Sequence, residues 1–222
     1  MKHIEHTIGI TAFGGIKDVG KTKFCLRLAN YFAQQGKSVL FLSYADLYEQ
    51  YRMFLETYDT GIHACLECEN MESFDYNIDS FELFKYLSDN HFSTVFIDNF
   101  ESFCISLSDI QYIAHTLHIA FFVNIQIPTL LPHNEYDFLH YCDGTHTPTL
   151  KNFAYTNEQY IHYCTTIYAL HRPFQFGITQ DTNNNLLTSV LELYSLKNNN
   201  CNHEKRILNS QHYGIYEIEK IL

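Results

Sequence analysis

Tryptophan is absent from the 222 residues, and proline (4) and glycine (9) are scarce. No Pro- or Gly-rich stretch reads as a linker, and no segment repeats, so a single domain over residues 1–222 is expected. Charge is thin as well. Charged residues make up 18 % of the chain, below the roughly 25 % of an ordinary soluble protein. Positive charge is the scarcer sign, with 14 Lys plus Arg against 25 Asp plus Glu and a net charge of −11 with His neutral. That balance repels polyphosphate at long range and argues against tight DNA binding by a monomer. No run approaches the ~18 apolar residues of a membrane helix, so no membrane partner is expected. The opening MKHIEHTIGITAF has no long apolar core after its Lys and is not expected to act as a signal peptide. The seven cysteines are scattered and odd in number, which suits a reducing, cytoplasmic compartment.

What is present is apolar and patterned. Hydrophobic residues reach 46 %, with 17 Tyr and 18 Phe, enough for a sizeable core. Residues 6–13 (HTIGITAF) read as a strand. Over residues 21–35, Phe24, Cys25, Leu28, Ala29 and Phe32 fall on one helical stripe, and Gly36 stands where a helix stops. Residues 38–43 and 94–97 read as short buried strands, 46–55, 80–88 and 108–118 as helices, and 119–125 as a further strand. Residues 56–78 look irregular and acidic. Strand and helix therefore alternate, which predicts an α/β fold: a mostly parallel sheet with helices on both faces. The last third differs. Residues 166–169, 187–196 and 214–218 read as strands joined by polar turns, one of them TQDTNNNL, and predict a C-terminal β-meander.

GGIKDVGKTKF, residues 14–24, lies between the first strand and the first helix. It contains Gly15-x-x-x-x-Gly20-Lys21-Thr22, the spacing of a loop that turns backbone N–H groups and a helix N-terminus towards a phosphate. The loop residues expected to hold a nucleotide are Gly15, Lys17, Asp18, Val19, Gly20, Lys21, Thr22 and Lys23. Lys21 suits the β- and γ-phosphates, and the Thr22 hydroxyl suits Mg²⁺. The plain alternative is a Gly-rich turn that caps a helix. A second metal-supporting group is expected at the end of a buried strand, and TVFIDNF supplies Asp98 there.

The chain resembles the RecA-like motor domain of DnaB-type hexameric helicases. The pieces that carry the resemblance occur in order: GGIKDVGKTKF, VLFLSYAD (39–46), TVFIDNFES (94–102), VNIQI (123–127), and YALHRPFQFGITQDTNNNL with LELYSLKNNN (168–200). The resemblance spans nearly all of the chain, without the family's primase-binding N-terminal domain. It implies a RecA-like P-loop fold, ATP and Mg²⁺ as ligands, and a role in DNA replication. It also implies Gln126 as a γ-phosphate sensor and Lys197 as a group that reaches a neighbouring subunit's nucleotide. Because the family's nucleotide sits between subunits, a homo-oligomer or a partner ATPase is implied as well.

Two positions depart from the family. Ala45 stands where the resemblance places the catalytic Glu, and Asn199 where it places the arginine finger. Ala has no group to deprotonate a water. An amide lacks the cationic charge that contributes roughly 10³–10⁵ in rate. Asp46 and Glu101 are the carboxylates that could substitute, and Arg206 the cation. The expectation is a nucleotide binder with slow or no hydrolysis. An active DNA-dependent ATPase and a scaffold without nucleotide are the alternatives.

Other groups carry less. His63, Cys65 and Cys68 are close in sequence, but a single Cys-x-x-Cys needs two further ligands for structural zinc, and reduced cysteines are favoured. His115 and His118 are expected to cap a helix or face solvent. His171-Arg172-Pro173 fits either a family motif or a plain strand end. The aromatic stretches YDFLHY (136–141) and YTNEQYIHY (155–163) suggest core packing or a protein interface rather than base stacking, since Lys151 is the one basic neighbour apart from His.

Overall fold

The computed structural model describes residues 4–43, 66–70, 79–127, 148–180, 183–198, 205–211 and 215–219. It divides into two compact units: Met1–Thr11 with Thr22–Ile125, and Ala12–Lys21 with Gln126–Leu222. Strand β1 (Gly9–Gly15) and helix α1 (Lys21–Gln34) each contain residues of both.

In the first unit the strand order is β3 (Leu66–Asn70), β2 (Val39–Ser43), β4 (Thr94–Ile97), β5 (Ala120–Gln126), then β1. β2 pairs in parallel with β3 and β4, and β4 in parallel with β5. Parallel neighbours need crossovers, and helices α2 (Ser80–Asn90) and α3 (Leu107–Leu117) supply them around β4. β2, β4 and most of β5 are buried, so their sequences are mostly apolar. Asp79 starts α2 with a capping box to Glu82, and Ser106 caps α3. α1 buries Phe24, Cys25, Leu26, Leu28, Ala29, Phe32 and Ala33. The chain leaves it two residues past Gln34, through Gly36, whose φ of +79° suits a residue without a Cβ. His118 closes α3 in the left-handed region and is exposed.

Register fixes one face of this unit. Val39, Phe41 and Ser43 alternate with Leu40 and Leu42, and Phe41 pairs with Phe96, which pairs with Phe122. The three rings form a stacked row, 5.9 and 4.7 Å between centroids. Phe32 of α1 covers the row, 6.3 Å from Phe96 and 5.3 Å from Phe122. Burying each such ring contributes roughly 1.5–3 kcal/mol.

The second unit carries β1, β6 (Cys164–His171), β7 (Val190–Lys197), β8 (Lys205–Gln211) and β9 (Ile215–Glu219) in that order. β6 to β9 pair antiparallel in succession: this is the expected meander. The TQDTNNNL turn is closed by a Gln180–Leu186 bridge, with Asn184 at φ 62°.

Several elements differ from the sequence reading. β3 lies inside the stretch expected to be irregular. Its Glu67 and Glu69 give it a loop-like composition, which an outermost strand of the unit tolerates. β8 was not foreseen, since its Ile207-Leu208 pair is short and set among polar residues. Two short helices, α4 (Leu150–Thr156) and α5 (Gln159–Tyr163), occupy the segment read by its aromatics. There Phe153 and Tyr160 are buried, as core packing requires. The helix expected at 46–55 lies outside the described residues.

Candidate functional site

The phosphate-loop sequence begins inside β1, which runs through Gly14 and Gly15. Both glycines are there for space. A Cβ on Gly14 would come within 2.2 Å of the Phe153 ring, and one on Gly15 within 2.7 Å of Val19 Cγ1 and 3.0 Å of the Leu170 carbonyl oxygen. After β1 the chain turns through Asp18 (φ 62°) and Gly20 (φ 105°) into α1 at Lys21. Val19 is buried, whereas Lys17, Asp18 and Lys23 are exposed. The Lys21 ammonium donates to the carbonyls of Gly15 (2.8 Å) and Ile16 (3.0 Å), folding back over the loop from which it springs.

A second cluster lies wholly in the first unit. The Thr22 hydroxyl is 2.9 Å from both Oδ1 and Oδ2 of Asp98. Asp98 follows β4 and is 4 % exposed, and its backbone N–H donates to the Leu42 carbonyl. Asn124 of β5 donates from Nδ2 to Asp98 Oδ1 at 2.6 Å, and the Cys25 thiol donates to Asn124 Oδ1 at 2.9 Å. Cys25 lies three residues beyond Thr22 on α1, on the same side of the helix. Ser43, 1 % exposed, ends β2, and its Oγ has no hydrogen-bond partner among the described residues. A hydroxyl and a carboxylate are hard oxygen donors, the set that suits Mg²⁺ rather than a softer metal.

The other expected residues are spread out. Gln126 is the exposed last residue of β5. Glu101 is exposed on a single 3₁₀ turn, Phe100–Ser102, just after Asp98. Lys197, at the end of β7, donates to the carbonyls of Ile161 and Cys164, each at 2.6 Å. Asp46, Ala45 and Asn199 lie outside the described residues, and for Arg206 the structure gives the backbone of β8 alone. His171 is buried at the end of β6, stacked on Phe176 (5.1 Å), so it packs as part of the core. It pairs across strands with Glu192, which is 5 % exposed and accepts a 2.6 Å hydrogen bond from the Tyr194 hydroxyl. Burial, reinforced by that carboxylate, raises the Tyr194 pKa. Burial also pushes the Cys164 thiol up to about 12, against a smaller pull downward from Lys197.

Asn124 and Cys25 lie outside the phosphate-loop spacing, yet they meet beside Asp98. The signal was available: a polar residue in the middle of AFFVNIQ, two positions past the Phe122 of the buried row, is costly unless hydrogen-bonded.

No protein-family profile and no curated protein matches the chain. Solved structures do. One is an ATPase domain, with a TM-score of 0.72 at 10 % identity over 97 % of this chain and 86 % of that one. Another is a DnaB-like replicative helicase, solved in a study of its interactions with primase (TM-score 0.70, 10 % identity). Here the match covers 95 % of this chain and 59 % of the helicase, so the chain spans well under two thirds of that protein's length. A third is the flagellar accessory protein FlaH from Methanocaldococcus jannaschii (TM-score 0.56, 12 % identity, 97 % and 91 % covered). At these identities the likeness speaks to fold alone. The chain has the α/β, RecA-like fold of DnaB-type helicase ATPase domains, with a C-terminal antiparallel meander.

Proposed function

We propose that the chain binds a Mg²⁺-nucleotide, ATP or its diphosphate product, and turns it over slowly or not at all. The observation that carries this reading is the Thr22 hydroxyl set on both oxygens of buried Asp98 at the first turn of α1. A hydroxyl and a carboxylate in that contact can hold a hydrated Mg²⁺ between them once it displaces the shared proton contact. Lys21 precedes Thr22 in the chain, and its ammonium would exchange its contacts to the loop carbonyls of Gly15 and Ile16 for a phosphate. When bound, the metal neutralises phosphate charge. The chain's own part is to orient that metal through Thr22 and Asp98 and to offer loop N–H groups to the phosphates.

Slow turnover rests on the sequence. Ala45 and Asn199 stand where the resembling helicases carry a base and a cation. The second reading is an active, DNA-stimulated ATPase, favoured by the exposed Glu101 three residues after Asp98. Residues 1–222 are read as one such domain, in the cytoplasm, acting as a homo-oligomer or beside a partner ATPase. DNA binding is disfavoured by the net charge of −11. Among the described residues no helix is long and apolar enough to cross a membrane.

Thermal unfolding with and without Mg²⁺ and ADP tests the binding. A ligand at 100 times its Kd stabilises by about 2.7 kcal/mol. No shift at millimolar nucleotide favours the scaffold alternative instead.

A further inference from the structure

Asp98 does not stand alone on its face of the first unit. Extending the β2–β4–β5 register one residue past Leu42–Ile97–Val123 sets Ser43, Asp98 and Asn124 side by side. They occupy the row next to Phe41, Phe96 and Phe122, on the same side, because side chains two residues apart along a strand share a face. An aromatic row thus gives way to a polar row at the strand ends where Thr22 arrives. Asn124 is 2 % exposed. Its amide is oriented by two contacts: Oδ1 accepts from the Cys25 thiol at 2.9 Å, and Nδ2 donates to Asp98 Oδ1 at 2.6 Å. Reversing the amide would set its oxygen against the carboxylate and its NH₂ against the thiol hydrogen. The carboxylate, which can only accept, selects the orientation in which Asn124 donates, and the Cys25 thiol supports it by donating to Oδ1. Ser43, on the other side of Asp98, keeps a buried hydroxyl without a partner among the described residues, a group that a metal-bound water could satisfy.

We propose that Asn124, with its amide oxygen held by the Cys25 thiol, is a positioning residue that holds the Asp98 carboxylate for a Mg²⁺-nucleotide. The proposal rests on the reading of the site as a nucleotide site. Thr22 cannot do this holding once its hydroxyl turns to the metal, whereas Asn124 donates to Asp98 from a different strand and has no need to move. Hydrogen-bond partners of metal-supporting groups typically contribute 10–100-fold in metal affinity.

The test is the ratio of ADP dissociation constants in EDTA and in Mg²⁺, measured calorimetrically on wild type, Asn124→Ala, Cys25→Ala and Cys25→Ser. Wild type is expected to bind ADP more tightly with Mg²⁺. In Asn124→Ala that gain is expected to shrink by about tenfold, with ADP affinity in EDTA little changed. Cys25→Ala should shift the ratio in the same direction by less, and Cys25→Ser, which keeps a donor, should stand closer to wild type than Cys25→Ala. A purely structural role would lower the melting temperature and leave the ratio alone. An unchanged ratio in Asn124→Ala overturns the proposal. If that variant does not fold, equal ratios in wild type and Cys25→Ala overturn it. Wild type that binds no ADP overturns the nucleotide reading itself, and this proposal with it.

Discussion

Thr22 and Asp98 are 76 residues apart in sequence, yet one hydroxyl meets both carboxylate oxygens at 2.9 Å. A hydrogen bond to a charged acceptor contributes more than a neutral one, about 1.5–3 kcal/mol. Thr22→Val keeps the side chain's shape and removes the donor. It is expected to lower the unfolding free energy by about 1–3 kcal/mol in nucleotide-free protein, measured by urea denaturation. It should also abolish the strengthening of ADP binding by Mg²⁺. A variant of unchanged stability would mean that the contact contributes nothing in solution.

Ser43 makes the opposite prediction. Its buried hydroxyl has no partner among the described residues, so removing it sheds an unmet desolvation cost of about 1–3 kcal/mol. Ser43→Ala should leave the melting temperature unchanged or raise it. A clear loss of stability would show that the hydroxyl is satisfied.

His6 sets a pH dependence. Its Nε2 lies 2.6 Å from Thr94 Oγ1, and its ring meets Phe32 edge-on at 5.1 Å. Burial, and then the charge of Lys37, hold its pKa below the ordinary 6.5. The folded state therefore binds this proton less readily than the unfolded chain. The stabilisation is complete above pH 6.5 and is lost as the pH falls from there through the folded-state pKa. Wild type should lose stability across that window relative to His6→Gln. Parallel pH profiles for the two proteins would refute the assignment.

The cysteines differ in reactivity. Cys104 is exposed, while Cys25 and Cys164 are buried, and burial pushes Cys164 up to about 12. Since the thiolate is the nucleophile, iodoacetamide at pH 8 should label Cys104 in folded protein and reach Cys25 and Cys164 on unfolding alone. Peptide mass mapping reads this directly. Rapid labelling of Cys164 in the folded state would contradict its burial beside the Lys197 tether.

Much of the first unit was legible in sequence because its strands are apolar on both faces and its helices carry a clear stripe. The apolar run at residues 94–97 coincides with β4, and the stripe over 21–35 ends one residue past α1. Gly15 and Asp98 stand out in the sequence, and the structure packs Gly15 tightly and sets Asp98 against Thr22. β3 and β8 do not stand out, since parallel or antiparallel pairing with a neighbour, rather than composition, makes them strands. α4 and α5 escaped for a related reason: they are short, and the burial of Phe153 and Tyr160 supports them more than any periodic stripe. Asn124 and Cys25 were passed over because neither belongs to the phosphate-loop spacing. Their meaning appears when β4, β5 and α1 bring them to Asp98. Lys197, which the resemblance assigns to a neighbouring subunit's nucleotide, donates to the carbonyls of Ile161 and Cys164.

Calorimetry with ATP and Mg²⁺ on wild type and Lys21→Ala, with phosphate release followed on the same samples, decides whether a nucleotide is bound and retained. Binding is expected in wild type, with its loss in Lys21→Ala and negligible phosphate release. Binding accompanied by steady release that disappears in Lys21→Ala would contradict the slow-turnover claim and move the search for a base to Asp46 and Glu101. Wild type that binds no ATP would rule out a nucleotide site altogether.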